Sequence, residues 1–243
     1  MIIQIYEIQT PEEAEQCIEV GVDNIGSVIL SEDEWRQPGL KETISVSEGT
    51  HVKNSIIPLF RKTDTIYRVL DYYRPDFIHF CENLANVHGE ETDLNQLIDL
   101  QSTLRERFPD IKIIRSIPIP MNDTAFEFRP LEIAGRMEPV CDFFLIDTWL
   151  GKEPVAGFIG ITGRTSNWEK ARDLVLQSKI PVILAGGLSP ENVYEALEAV
   201  SPAGADSCTN TNKVDHKGNP IRFQKDFKRV EKFIDEARRA ERM

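Results

Sequence analysis

No stretch of this chain stays apolar long enough to cross a bilayer. The N-terminal MIIQIYEIQTPEEAEQ has neither a basic start nor a small-residue cleavage site, so it reads as a first strand and not a signal peptide. A cytoplasmic protein is expected, with no membrane partner. Positive charge is also scarce: 28 Lys and Arg stand against 40 Asp and Glu, a net charge of −12. Nucleic acids and anionic membranes need a basic footprint, so a nucleic-acid partner is not expected either. An anionic small molecule would have to be held locally, by backbone amides and a few basic side chains, against the field of the whole chain.

Cysteine is sparse and scattered. Cys17, Cys81, Cys141 and Cys208 form no CxxC pair, which argues against a disulfide framework. His79 and Cys81 stand two apart and would share one strand face. Without an evident third ligand they read as two inward side chains near a strand end, and no metal is expected.

What the chain does have is alternation. Strand-like apolar runs at 2–8, 23–30, 54–60, 76–80, 111–117, 141–147, 181–186 and 204–208 alternate with helical runs. The helices are expected at 11–20, 40–48, 63–73, 92–107, 122–136, 168–178, 190–199 and 222–241. Thr10 and Pro11 mark a helix start and Gly21 its end, while Pro130 weakens the fifth helix. Strands alternating with helices imply a parallel sheet with crossovers. Eight such units in 243 residues fit a closed α/β barrel, a (β/α)8 TIM barrel, as one domain spanning 1–243.

In such a barrel, chemistry gathers where strands end. Strand seven ends in Gly186-Gly187 ahead of Ser189-Pro190-Glu191. Glycines let a phosphate approach the backbone, whose amides can cradle it. A tight turn before a capped helix is the plainer alternative. After strand eight, Asp206-Ser207-Cys208-Thr209-Asn210-Thr211-Asn212 is small and polar, and reads equally as a phosphate loop or a surface loop. Asp147 ends the very apolar strand CDFFLID. Partial burial there would raise its pKa and suit it to general acid work, whereas a helix cap is the structural alternative. GITGRTSNW at 160–168 is a glycine-rich polar turn, readable as an anion site or a lid.

Together these segments resemble the phosphoribosylanthranilate isomerase family of tryptophan biosynthesis. ILAGGLSPENVYEAL is similar to the family's GGLNPENV, FLIDT to its LLDT, GITGRTSNW to its GGTGKTFDW, and EEAEQCIEVGVDNIGSVIL to its EDA…GADALGFVF. The resemblance implies a TIM barrel and an Amadori rearrangement of a phosphorylated aminosugar, with no cofactor; a homodimer is compatible with it. It implies that Asp147 protonates the ring oxygen. Gly186, Gly187, Thr209 and Asn210 would hold the phosphate. Arg36, with one inserted residue, falls where the family has an arginine on the anthranilate carboxylate, and Arg164 is a second basic candidate for that group or for a lid.

The chain departs from the family where the second proton moves. The family begins KICGIT; this chain reads QIYEIQ. The base cysteine is Tyr6, its following glycine Glu7 and its lysine Gln4. Tyrosine is a poor base at neutral pH, and strand alternation turns Glu7 away from the side Tyr6 takes. The family's QLHG has two counterparts, His79 with Cys81 by strand position and Val87-His88-Gly89-Glu90 by letters. Its SSGVE is replaced by 208–212. Three readings stay open: an isomerase with Glu7 or Tyr6 as base, a re-tooled enzyme lined by His79, Cys81 and Glu7, and a phosphometabolite-binding protein without turnover.

Overall fold

The computed structural model describes residues 1–84, 93–121 and 129–242. Eight parallel strands close into a barrel in sequence order. They are β1 (Ile2–Ile5), β2 (Asn24–Ile29), β3 (Lys53–Pro58), β4 (Phe77–Phe80), β5 (Lys112–Pro120), β6 (Phe143–Trp149), β7 (Val182–Leu184) and β8 (Gly204–Ser207). Helices α1 (Pro11–Glu19), α2 (Pro38–Ser45), α3 (Thr63–Tyr73), α4 (Leu94–Arg107), α5 (Pro130–Met137), α6 (Trp168–Gln177) and α7 (Val193–Val200) follow the first seven strands in turn. The eighth is followed by a hairpin of β9 (Asn212–Val214) and β10 (Pro220–Lys225), then by α8 (Phe227–Glu241). The expected TIM barrel is what the chain forms.

Alternation along each strand builds two cores. Ile3, Ile5, Ile56, Ile78, Phe80, Phe144 and Ile146 point outward and pack under the helices. Tyr6, Phe77, Ile114, Leu145, Ile183 and Ala185 fill the barrel itself. The caps are local and legible. Thr10 accepts from the Glu13 amide at 3.2 Å to start α1, and Asp226 accepts from the amides of Lys228 and Arg229 to start α8.

Several boundaries differ from expectation. The last helix does not begin at 222. Residues 220–225 are β10, paired antiparallel with β9, and the helix waits for its cap at Asp226. Pro130 does not interrupt a helix but begins one, at the first turn where its missing N–H is harmless. Of the helix expected over 122–136, residues 122–128 lie outside the described residues, as does the 87–90 segment. Strand β1 stops at Ile5, because Glu7 takes a left-handed φ of 64°.

One glycine is fixed by packing. Gly26 on β2 faces the ring of Tyr6, and a Cβ there would lie 2.1 Å from Tyr6 Cδ1. Gly26→Ala is therefore expected to destabilise the fold by about 1–3 kcal/mol, the usual range for overpacking a rigid interior. Urea unfolding of Gly26→Ala and of the double variant Gly26→Ala/Tyr6→Phe tests it. The ring itself is the obstacle, so removing only the hydroxyl should give no rescue.

Candidate active site

Two adjoining clefts open at the C-terminal ends of the strands. The first is lined by Tyr6, Glu7, His79, Cys81, Ser116, Asp147, Ile159, Ile161, Asp206, Cys208 and Arg222, among others. The second is lined by Thr162, Gly163, Gly186, Gly187, Thr209 and Asn210, among others, and shares Asp147, Ile161, Asp206 and Cys208 with the first. The four residues that line both clefts thus stand between a part able to cradle an anion and a part rich in titratable groups.

The second cleft is built from close backbone approaches. Gly186 has φ 78°, and a Cβ on it would lie 2.4 Å from Thr148 Oγ1; on Gly187, with φ 62°, it would lie 2.4 Å from the Arg164 carbonyl carbon. Thr148 Oγ1 donates to the Arg164 carbonyl at 2.5 Å. Asn210 Nδ2 donates to the Gly187 carbonyl at 2.9 Å, tying the loop after β8 to the loop after β7. These glycines serve loop packing as well as any ligand.

Asp147 lies at the end of β6, between the clefts. Burial pushes its carboxyl up, the amide of Thr148 at 2.7 Å pulls it down and Glu153 raises it again; the result is about 7. Gly160, with φ 101°, leaves room for it: a Cβ there would lie 2.3 Å from Asp147 Oδ2. Asp206 on β8 is buried beside it. Burial raises Asp206, a bond from Gln4 Nε2 at 3.1 Å lowers it and Asp147 raises it, to about 8. Two carboxyls that each hold a proton near neutrality titrate as a pair.

The remaining groups form two hydrogen-bonded sets. Across the barrel, Tyr6 Oη meets Ser55 Oγ at 2.7 Å and His79 Nδ1 at 2.7 Å, and His79 Nε2 meets Ser116 Oγ at 2.8 Å. Burial lifts the Tyr6 hydroxyl well above its ordinary range. Burial, with Arg115, lowers His79 to about 3. Burial thus keeps Tyr6 protonated and His79 neutral at neutral pH. The second set is ionic. Glu7 accepts from Arg222 Nε at 2.7 Å, Asn212 Nδ2 at 3.1 Å and the Phe223 amide at 3.3 Å. Burial alone would raise Glu7, but Arg222, Lys225 and Asn212 outweigh it and hold the carboxylate below its ordinary range. Lys225 in turn donates to Asn212 Oδ1 at 2.6 Å and the Cys208 carbonyl at 2.7 Å.

The expected residues are brought together unevenly. Asp147, Tyr6, Glu7, His79, Gly186, Gly187, Thr209 and Asn210 all line the clefts. The alternation that would send Glu7 away from Tyr6 is cancelled by its left-handed backbone. Arg36 is not among the lining residues; its guanidinium lies over the Tyr72 ring on α3. Arg164 contributes its backbone carbonyl to the loop while its side chain is exposed. The 160–168 turn belongs to a segment anchored across the mouth by Ile159 N to Cys81 O and by Asn83 N and Arg61 Nη2 to Gly157 O. Arg222 went unread because the hairpin did, and Asn212 was read only as the end of the loop after strand eight, not as a partner of Glu7. The hairpin's signal was Gly218-Asn219-Pro220 between two short β-prone runs, a turn that Asp215 closes with bonds from Lys217 N and Asn219 N.

The raised Asp206 makes a stability prediction. Its folded pKa of about 8 exceeds the unfolded value of roughly 3.9, so its contribution is full at low pH and lost as pH climbs from about 4 through 8. Asp206→Asn keeps an acceptor for Gln4 without the ionisation. Relative to the parent it should gain at least about 1.4 kcal/mol, one pKa unit's worth, between pH 4.5 and 8.5 in urea unfolding. A difference that does not change with pH would mean the folded protein does not hold that proton.

The chain is similar to known proteins over nearly all its length. The family profile described as PRAI, N-(5'phosphoribosyl)anthranilate (PRA) isomerase, matches residues 5–235. An N-(5'-phosphoribosyl)anthranilate isomerase of Methanocella arvoryzae is 27% identical over 242 residues, covering 97% of each chain. The Aquifex aeolicus enzyme of that name is 30% identical over 235 residues, covering 96% of each. The phosphoribosyl anthranilate isomerase structure from Thermotoga maritima superposes with a TM-score of 0.70 at 24% identity, covering 98% of this chain and 99% of that one. A structure of such an isomerase in complex with reduced 1-(o-carboxyphenylamino)-1-deoxyribulose 5-phosphate gives 0.69 at 22%, with the same coverage. Among the described residues no helix is long and apolar enough to cross a membrane. With the barrel, the paired clefts and a profile match over most of its length, this chain belongs to the N-(5'-phosphoribosyl)anthranilate isomerase family.

Proposed function

We propose that the chain isomerises N-(5'-phosphoribosyl)anthranilate to the corresponding 1-amino-1-deoxyketose, in the cytoplasm, with Asp147 as acid and Glu7 as base. The observation that carries this reading is Asp147: a carboxyl with a pKa of about 7, set between a glycine-walled cleft and a titratable one. A general acid works best when its pKa lies near the working pH.

The chemistry divides along the two clefts. The phosphate goes to the amides around Gly186, Gly187, Thr209 and Asn210, which places the furanose beside Asp147. The acid protonates the ring oxygen, the C1–O bond breaks and the nitrogen lone pair forms the iminium. A base then takes the C2 proton, the C2–H electrons move toward nitrogen and the enolamine tautomerises to the ketose. Hydrogen moves within one molecule, so no external oxidant or reductant enters. Glu7 is a lining carboxyl held ionised at neutral pH, while Tyr6 is kept protonated and His79 neutral with both ring nitrogens bonded. The dimeric relative from Thermotoga maritima supports a homodimer as the assembly to test by sedimentation equilibrium.

A second reading, ligand binding without turnover, draws support from Glu7 itself, whose bonds to Arg222, Asn212 and Phe223 hold it as a weak base.

The decisive assay is turnover of phosphoribosylanthranilate followed by its fluorescence. Asp147→Asn and Glu7→Gln should each lower kcat by about 10²–10⁴, the usual worth of a general acid or base, and Tyr6→Phe by less than about 10². The kcat/KM profile should be a bell. Its alkaline limb falls through about pH 7–8 as the Asp147–Asp206 pair loses its first proton, and its acid limb falls where Glu7 protonates, below the ordinary carboxylate range. Folded protein that binds a phosphosugar without turnover would establish the second reading.

A further inference from the structure

We infer that Arg222, on the hairpin that follows the eighth barrel strand, receives the aryl carboxylate of the substrate and selects for it. The inference rests on the isomerase reading and names the subsite that reading leaves unassigned. The substrate carries two anionic groups at opposite ends, a phosphate and a ring carboxylate. The glycine-walled cleft has amides for the first. The second needs a cation in the other cleft, and among the described lining residues of both clefts Arg222 is the one Lys or Arg.

Of the other basic groups near the mouth, Arg164 turns its side chain to solvent and three are committed elsewhere. Arg36 stacks over Tyr72, Arg61 donates to the Gly157 carbonyl, and Lys225 donates to Asn212 and the Cys208 carbonyl. Arg222 is only partly used. Its Nε donates to Glu7 at 2.7 Å, while its Nη2 is buried and has no hydrogen-bond partner among the described residues. The side chain as a whole is 36% exposed and lines the cleft, which leaves the guanidinium within reach of a ligand carboxylate, the partner an arginine fork favours. Its guanidinium also lies 4.7 Å from the centre of the Phe223 ring, which holds it in place from a second side.

The placement has a consequence for orientation. One guanidinium would hold the proposed base through Nε and the substrate's ring carboxylate through its other N–H groups. The carboxylate is ortho to the amine, so fixing it beside Glu7 brings the amine-bearing end of the sugar toward the base while the phosphate is held in the other cleft. An aminosugar without the carboxylate would lose that second anchor.

The test compares two ligands on two proteins by calorimetry. One ligand is reduced 1-(o-carboxyphenylamino)-1-deoxyribulose 5-phosphate; the other is the same molecule with a phenyl ring lacking the carboxylate. The parent protein should prefer the first by about 10–100-fold, the worth of a charge-assisted hydrogen bond. In Arg222→Gln, which can still donate to Glu7, the preference should fall to within about threefold, with the carboxylate-free ligand bound alike by both proteins. A preference that survives in Arg222→Gln overturns the inference. Should that variant not fold, Arg222→Lys keeps the charge without the fork and should cut the preference at least threefold; an unchanged preference there overturns it too. Ligands that bind the parent equally well refute the carboxylate subsite and leave the isomerase reading standing. A parent that binds neither ligand refutes both.

Discussion

The contact between the first and last strands governs this site. Pairing of β1 with β8 closes the barrel in the register Gln4↔Asp206 and Ile5↔Ser207. That register puts Gln4 Nε2 on the Asp206 carboxyl, and Tyr6, whose amide bonds the Ser207 carbonyl, beside Cys208. An uncharged amide opposite a buried carboxylate supplies a hydrogen bond but no counter-charge. Desolvation therefore dominates, the Asp206 proton stays on, and its neighbour Asp147 titrates beside a mostly neutral group. Burial at the seam of the sheet thus sets the state of Asp206, and Gln4, which lines neither cleft, moderates it.

The barrel was legible because its signals are local and repeated. Apolar runs with helical runs between them need only period and caps to be read, and Thr10, Pro11 and Gly21 bound α1 where the sequence places them. Asp147 and the two glycines were legible for a similar reason: a polar group at the end of an apolar strand has one environment in a barrel of this kind. The roles that stayed hidden depend on long-range contacts. Asn212 and Arg222 matter because they meet Glu7, more than 200 residues away in the chain. The hairpin's short strands and lone turn blend into the polar run before α8. Arg36 shows the opposite failure. Alignment by letters places it at the mouth, whereas the segment ahead of α2 turns its guanidinium onto Tyr72, outside both clefts.

Glu7 and Arg222 are best understood together with Tyr6. The resembled family's cysteine and glycine at the end of the first strand are here a bulky aromatic and a carboxylate. Tyr6 occupies the barrel centre, and Gly26 makes room for its ring while Ser55 and His79 take its hydroxyl. Glu7 keeps the left-handed backbone that a glycine would adopt freely and that an ordinary side chain resists. A residue held in that conformation needs compensation, and three hydrogen bonds from the hairpin supply it.

The compensation also sets the chemistry. A carboxylate paired with arginine is ionised but weakly basic, so Glu7 alone would be a poor partner for a carbon acid. The proposed carboxylate on Arg222 changes that balance, because a second anion shares the guanidinium's charge when substrate is bound. The same hairpin that stabilises the strained turn in the free protein would then loosen its hold on the base at the moment of reaction. The side chains that stand for the family's cysteine and glycine, the strained turn and the hairpin form one coupled unit, in which the hairpin's bonds offset the cost of the turn.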